Sequence, residues 1–201
     1  MPFIVQHSAQ QSRTLFYIFY GVTVHVGIST TIKKMAETLT SQGKKVLIFD
    51  ALLGIKNFPI TNKNQDKIPT FFSGLIPLSE LITTHNGVDV ISGMSTQNIN
   101  ALPLAQKNKI KNDLEQLATN YDIVLIDHPA QIMQSVFKGG DKVFWISPPN
   151  QKILLKTLQK MAENKNTELI LTQTKNAIQR NNLHLLIKAL MPECHIIEFF
   201  G

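Results

Sequence analysis

Short apolar segments alternate with longer amphipathic segments along most of the chain. The apolar segments are rich in Val, Ile, Leu and Phe and show little polar alternation, which is typical of strands buried on both faces. We predict strands at Phe16–Tyr20, Val46–Asp50, Val88–Ile91, Ile123–Asp127, Lys142–Ile146, Glu168–Thr172 and His195–Phe199. The amphipathic segments predict helices at Thr30–Leu39, Ala105–Ala118, Gln151–Ala162 and Asn176–Leu190.

This alternation predicts an α/β fold with a mostly parallel sheet covered by helices on both faces. The 201 residues suit one domain. We therefore predict a flexible leader at residues 1–15 and one domain at residues 16–201. The segment Lys56–Thr70 is polar and contains two prolines, so we predict a loop there.

Composition excludes several classes of protein. The apolar runs are far shorter than the ~20 residues of a membrane-spanning helix. The N-terminus lacks the basic and then apolar order of a signal peptide. The single cysteine, Cys194, forms no intrachain disulfide and fits a reducing compartment. We therefore expect a cytoplasmic protein with no integral membrane segment.

The chain carries a formal charge of +6, almost all of it from lysine. Such a balance permits attraction to nucleic acid, anionic lipid or an acidic partner, and it equally fits the codon usage of an AT-rich genome. Lys152, Lys156 and Lys160 repeat every four residues and are candidates for contact with DNA phosphates. We favour a solvated helix face, because no arginine or aromatic residue is interleaved with them.

The segment between the first strand and the first helix lies where a phosphate-binding loop would lie. Such a loop has the pattern G-x-x-x-x-G-K-[ST], in which backbone N–H groups surround the phosphates and a lysine reaches their outer oxygens. Gly27 and Ser29 occupy the second glycine and hydroxyl positions, but Ile28 replaces the lysine. Gly21 stands one residue too early for the first glycine. Taken alone, the motif fails.

Ligands of parallel sheets bind at the carboxyl ends of the strands. The loop after Tyr20, Asp50 and Asp127 all fall at such ends. The two carboxylates are candidates for a metal site, but we favour their capping adjacent turns or helix starts, with Ser29 as an ordinary N-cap.

Two histidines, His25 and His128, fall near the same crevice and are candidates for metal binding or for titration near neutral pH. We favour solvated or hydrogen-bonded histidines, because no cysteine or third histidine is placed to complete a zinc site.

Four segments, taken in order, resemble the MinD/ParA family of deviant phosphate-loop ATPases, most closely its flagellar-number branch, FlhG or FleN. The resemblance extends over residues 16–175 at the spacing of the family. The segments are TVHVGISTTIKKMA from residue 23, DALLGIKN from residue 50, GVDVISGMSTQNINAL from residue 87 and YDIVLIDHPAQI from residue 121.

The resemblance implies a phosphate-loop NTPase-like fold of MinD/ParA type with an altered nucleotide site. It implies phosphate-loop positions at Gly27, Ser29 and Thr30, and Mg²⁺ positions at Ser29, Asp50 and Asp127. Four side chains that the family uses have been replaced. The signature lysine, the loop lysine, the water-positioning aspartate and the adenine-reading asparagine fall on Thr23, Ile28, Leu52 and Thr172–Gln173.

Phosphoryl transfer depends on positioning and on electrostatic stabilisation of the phosphates, so these losses should abolish hydrolysis. We expect a non-catalytic regulatory or scaffold protein that acts through protein contacts, in control of flagellar number or placement. We expect no catalytic residue and no cofactor. The alternatives are an active ATPase that uses Mg-ATP with Lys56 as a substitute cation, and a partition protein that binds DNA non-specifically.

The resemblance also bears on assembly. Thr23 cannot reach across a dimer as the signature lysine does, so we expect no ATP-driven dimer, whereas a nucleotide-independent dimer remains compatible. We expect Asn176–Leu190 to cover the sheet, with no C-terminal membrane-targeting helix of the MinD kind. The segment Ser8–Leu15 faintly resembles the branch's segment that engages a partner GTPase.

Overall fold

The protein is described by a computed structural model. The structure describes residues 13–23, 26–50, 67–92, 103–129, 140–163, 167–172 and 177–199. Eight strands form a single sheet in the order β3-β4-β2-β5-β1-β6-β7-β8. The strands are β1 Leu15–Gly21, β2 Val46–Asp50, β3 Ile82–His85, β4 Val88–Ile91, β5 Ile123–Pro129, β6 Lys142–Ser147, β7 Thr167–Thr172 and β8 His195–Phe199.

The described helices flank the strands along the chain. They are α1 Ile28–Ser41, α2 Lys67–Phe72, α3 Leu104–Ala118, α4 Gln151–Ala162 and α5 Ala177–Leu190, with one 3₁₀ turn at Leu78–Leu81. The side chain of Asn150 caps α4 by accepting a hydrogen bond from the backbone N–H of Ile153 at 3.1 Å. None of the described helices is long and apolar enough to cross a membrane.

The predicted fold class is confirmed. All seven predicted strands are present, and every pairing is parallel except that of β3 with β4. β3 was not predicted, because it is a short, half-exposed edge strand without a continuous apolar run. The predicted loop at Lys56–Thr70 is wrong at its end, because Lys67–Thr70 belongs to α2. There Ile68 and Phe71 are buried beneath the helix, and their packing outweighs the local polarity.

The crossover connections place helices on both faces of the sheet. The connection from β1 to β2 runs in the opposite direction across the sheet from those that contain α3, α4 and α5. Because such crossovers are right-handed, α1 covers one face of the sheet, and α3, α4 and α5 cover the second face. Two clusters of buried side chains match these faces, one built around Ile32 of α1 and one around Leu114, Leu154 and Ile187.

Neighbouring leucines of α4 provide a test of the second face. Leu154 is fully buried, whereas Leu155 beside it is 37% exposed. Leu154→Ala should lower the free energy of unfolding by about 2–5 kcal/mol, because it removes buried methyl groups and leaves a cavity. Leu155→Ala, the matched control, should cost less than about 1 kcal/mol. Urea unfolding followed by the fluorescence of Trp145, the single tryptophan, measures both changes. Equal losses for the two variants would contradict this packing.

Candidate functional site

The carboxyl ends of β1, β2 and β5 meet at one edge of the sheet. β5 lies between the other two strands and pairs in parallel with both. Asp127 of β5 is in register with Asp50 of β2 on one side and with Phe19 of β1 on the other. The parallel register therefore brings the two candidate carboxylates, which are far apart in sequence, to adjacent strands. Both side chains are buried.

Ser29 joins this edge from the first turn of α1. Its hydroxyl donates a hydrogen bond of 2.5 Å to Oδ2 of Asp127. The other oxygen, Oδ1, is buried and has no hydrogen-bond partner among the described residues. Burial raises the pKa of the Asp127 carboxyl to about 6, and the Ser29 hydroxyl opposes this rise by stabilising the ionised form. Among the described residues, Asp127 therefore has one carboxyl oxygen that is hydrogen-bonded and one that is not. The pKa of this carboxyl group lies close to neutral pH.

The interpretation of Ser29 as an N-cap is wrong. Helix α1 begins at Ile28, and the capping position is Gly27, without a side-chain capping bond. Gly27 has a φ of 94°, a left-handed conformation that glycine adopts without a steric penalty. Its carbonyl accepts hydrogen bonds from the backbone N–H and the hydroxyl of Thr31, at 3.0 and 2.9 Å. Ser29 therefore lies inside the helix, where its hydroxyl faces Asp127.

Gly21 and Ile28 pack together beneath the loop. A side chain at Gly21 would place its Cβ 2.6 Å from Val26 and 2.8 Å from Ile28, closer than neighbouring carbon atoms can approach. Ile28 is only 7% exposed and belongs to the same buried cluster as Val26. Gly21 thus makes room for Val26 and Ile28, and a larger residue would force at least one of them to shift. The side chain at the family's lysine position is part of the core.

Thr172, at the end of β7, contacts the loop that precedes α1. Its hydroxyl donates a buried hydrogen bond of 2.9 Å to the carbonyl of Val26. Its side chain also lies against Gly27, 3.6 Å from the position that a Cβ would occupy there. The sequence analysis noted Thr172 only as the site of a lost asparagine. A single threonine at a strand end carries no sequence signal for a contact with a loop 146 residues away.

The oxygen atoms at this edge fit a hard divalent cation. Mg²⁺ is held in proteins by one or two carboxylates together with waters and phosphate oxygens. Asp127 offers a buried carboxylate oxygen without a partner, with the Ser29 hydroxyl and the Asp50 carboxylate nearby in the fold. Among the described residues, no group of three or more His, Cys, Asp or Glu side chains could hold a metal by itself. Water or phosphate oxygens could complete the coordination of such an ion.

The other residues singled out in the sequence are placed unevenly. Thr30 and Thr23 are exposed, on α1 and at the start of the loop. The ladder Lys152, Lys156 and Lys160 lies on the exposed side of α4, where Lys160 pairs with Glu163 at 3.1 Å. For His128 the structure describes only the backbone, in β5. The segment Ser8–Leu15 is described only from Arg13, and His25, Leu52, Lys56 and Gln173 lie outside the described residues.

Known proteins resemble the chain in sequence and in fold. A protein of Emiliania huxleyi that carries the name septum site-determining protein MinD is 29% identical over 126 residues. That match covers 53% of this chain and 41% of the relative, so the matched part spans less than half of the relative's length. No family model matches the sequence.

Two solved MinD structures resemble the chain over almost its whole length. MinD in the MinC–MinD cell division complex of Aquifex aeolicus aligns with a TM-score of 0.67 and 17% identity, covering 92% of this chain and 81% of that one. MinD of Pyrococcus horikoshii, complexed with Mg-ADP, aligns with a TM-score of 0.62 and 17% identity, covering 92% and 82%. The chain therefore has the MinD/ParA-type fold.

The hydrogen bond from Thr172 to the loop can be tested by removing its hydroxyl. Thr172→Val keeps the shape of the side chain but leaves the buried Val26 carbonyl without this donor, so we expect a loss of about 1–3 kcal/mol in unfolding free energy. Thr172→Ser, which keeps the hydroxyl, should cost about 1 kcal/mol or less. Urea unfolding of both variants provides the measurement. The role of the hydroxyl is refuted if serine costs as much as valine.

The raised pKa of Asp127 predicts a dependence of stability on pH. The pKa of about 6 in the folded protein lies above the ordinary aspartate value of 3.8, so folding favours the protonated carboxyl. This group's stabilisation is complete below about pH 4 and is lost as the pH rises through 6, by up to ~3 kcal/mol. Asp127→Asn should remove that decline. Unfolding free energies measured from pH 4 to 7 with EDTA present, compared between the two proteins, test this. Parallel pH profiles would show that Asp127 does not titrate as expected.

Proposed function

We propose that this chain is a non-catalytic regulatory or scaffold protein of MinD/ParA type that acts through protein contacts. One observation carries the proposal: the side chain at the loop-lysine position, Ile28, is apolar, buried and packed against Val26 over Gly21. In this loop the side chain at position 28 packs into the core, so that position provides no cation to bind a ligand.

The electrostatics of phosphoryl transfer support the same conclusion. A triphosphate carries several negative charges, and their stabilisation by preorganised cations and N–H groups supplies most of the catalysis. Here the loop lysine is Ile28 and the signature lysine is Thr23. The carboxyl group of Asp127 adds negative charge at the same edge whenever it is ionised. We therefore propose that no ATP-driven dimer and no hydrolysis occur.

We propose that the role of this chain is to bind another protein. MinD of Aquifex aeolicus is found in a complex with MinC, so a relative of the same fold binds another protein. The resemblance of GVDVISGMSTQNINAL and of YDIVLIDHPAQI to the FlhG branch supports a role in flagellar number or placement. We propose a cytoplasmic partner for this chain in that process, with no resident cofactor.

One observation favours a second candidate, a protein that still binds Mg-nucleotide. Oδ1 of Asp127, which has no partner among the described residues, and the Ser29 hydroxyl oxygen are two ligands for a Mg²⁺ ion. Phosphate oxygens would provide further ligands. Pyrococcus horikoshii MinD, of the same fold, is complexed with Mg-ADP. In this alternative Lys56 would supply the cation that the loop lacks.

Calorimetric titration separates the two candidates. Titrating the full chain with ATP and with ADP, with and without Mg²⁺, should release no binding heat up to millimolar nucleotide. The reason is that Ile28 places an apolar group where the phosphates need a donor.

Micromolar, Mg²⁺-dependent binding would overturn the proposal. This binding should then weaken in Ser29→Ala, which removes the hydroxyl ligand, and in Asp127→Asn, which removes the negative charge of the carboxylate. The matched control is Lys152→Ala on the exposed side of α4, which should leave nucleotide binding unchanged.

A further inference from the structure

A cavity lies between helix α3 and the segment that joins α2 to β3. Its volume is about 510 Å³, which is within the range of about 300–1,000 Å³ that is typical of ligand sites. Residues 74–79 form one wall. The other wall consists of residues three or four positions apart, which therefore share one face of α3 and its end: Lys109, Asp113, Gln116, Leu117 and Asn120. We call this space the α3 cavity.

An ion pair forms part of the helical wall. Nζ of Lys109 donates a hydrogen bond of 2.6 Å to Oδ2 of Asp113, and it lies 4.6 Å from the centre of the Phe71 ring. The side chains of Lys109 and Asp113 are 31% and 27% exposed. An ammonium group has three N–H donors, and an ionised carboxylate has about four acceptor positions. The pair therefore offers a donor and an acceptor, side by side, to an occupant of the cavity.

The charges of the α3 cavity cancel. Among the described residues that line it, Lys109 and Asp113 carry the charges, and they are paired with each other. The whole chain, in contrast, has a formal charge of +6. A phosphate, a nucleic acid or an anionic lipid binds through uncompensated cations, and the lining of this cavity supplies none. The charge therefore favours a neutral occupant.

Apolar and amide side chains form the rest of the lining. Leu75 is 78% exposed, whereas Ile76 and Leu117 are half-buried and pack against the core. An apolar group that covers Leu75 would remove its surface from water, which is favourable. Gln116 and Asn120 each carry an amide with donors and an acceptor. The lining thus suits an apolar group that has hydrogen-bonding groups beside it.

We propose that the α3 cavity binds a segment of the protein partner, in which an apolar side chain of about leucine size lies between two peptide groups. A peptide group has one N–H donor and one C=O acceptor, so it is complementary to the Lys109–Asp113 pair. The amides of Gln116 and Asn120 can bond to the second peptide group. This inference rests on the proposed function, in which the chain acts by binding another protein.

Other occupants leave the ion pair poorly compensated. A hydrocarbon chain would remove water from Lys109 and Asp113 without returning a hydrogen bond, which is costly for charged groups. A carboxylate would accept a hydrogen bond from Lys109 but would be repelled by the like charge of Asp113. A peptide group provides a partner for both members of the pair.

An NMR titration of the isotope-labelled full chain with N-acetyl-leucinamide tests the proposal. This compound has one leucine side chain between two amide groups. The signals of residues 74–79 and of the C-terminal half of α3 should shift and saturate, with a Kd of about 1–10 mM for a ligand of this size. N-acetylglycinamide lacks the side chain, and 4-methylpentanoate has a carboxylate in place of the amides. Each should bind at least about tenfold more weakly.

Two lysines of α3 provide matched variants. Lys109→Met keeps the apolar stem but removes the donor, so it should weaken the binding of N-acetyl-leucinamide at least about fivefold. Lys111→Met breaks the neighbouring ion pair of the same spacing, in which Lys111 lies 3.8 Å from Glu115, outside the lining of the cavity. This control should bind the compound as the unaltered chain does. Urea unfolding of both variants checks that each remains folded.

The outcomes separate the inference from the proposed function. The inference is overturned if N-acetyl-leucinamide gives no saturable shifts at the cavity, or if either comparison compound binds as tightly. Equal binding by Lys109→Met and Lys111→Met would also overturn it. The proposed function would then still stand, because it does not require this cavity. Mg-ATP added to the same samples tests that function separately, since micromolar binding with shifts at residues 26–31 would overturn it whatever the cavity binds.

Discussion

The parallel pairing of β5 with both β1 and β2 is the constraint on which the site depends. It brings Asp127 beside Asp50 and under the first turn of α1, where Ser29 reaches it. Buried parallel strands cannot slip by one residue without turning their apolar side chains to the opposite face. The packing on both faces of the sheet therefore also holds the register of the carboxylates. The site's geometry is a consequence of the core.

The loop above these carboxylates is stabilised as a packed structure. Gly21 makes room for Val26 and Ile28, Gly27 supplies the left-handed turn, and Thr172 bonds the Val26 carbonyl from β7. In a phosphate loop the backbone N–H groups and a lysine serve the ligand. In this chain Ile28 stands at the position of that lysine, and its side chain packs into the core against the sheet. Fold and function rest on different residues, so the shared fold does not by itself fix the chemistry of this loop.

The edge of the sheet places a buried carboxyl group, that of Asp127, in an unusual electrostatic state. Burial disfavours the ionised form of a carboxyl group, which is why the pKa of Asp127 rises to about 6. A divalent cation would reverse this preference, since it would satisfy Oδ1 and favour the ionised form. The same carboxyl thus reports whether the site holds a proton or a metal ion, and its chemistry distinguishes the two proposed functions.

The sequence by itself determined the fold class, because buried parallel strands and amphipathic helices leave periodic apolar patterns that depend only on local order. It also placed Asp50 and Asp127 near the carboxyl ends of strands, and it put Ile28 where the phosphate-loop pattern has a lysine. Only the tertiary structure decided the bond from Thr172 to the loop and the packing at Gly21. Such contacts join residues from distant elements, so no local pattern in the sequence encodes them.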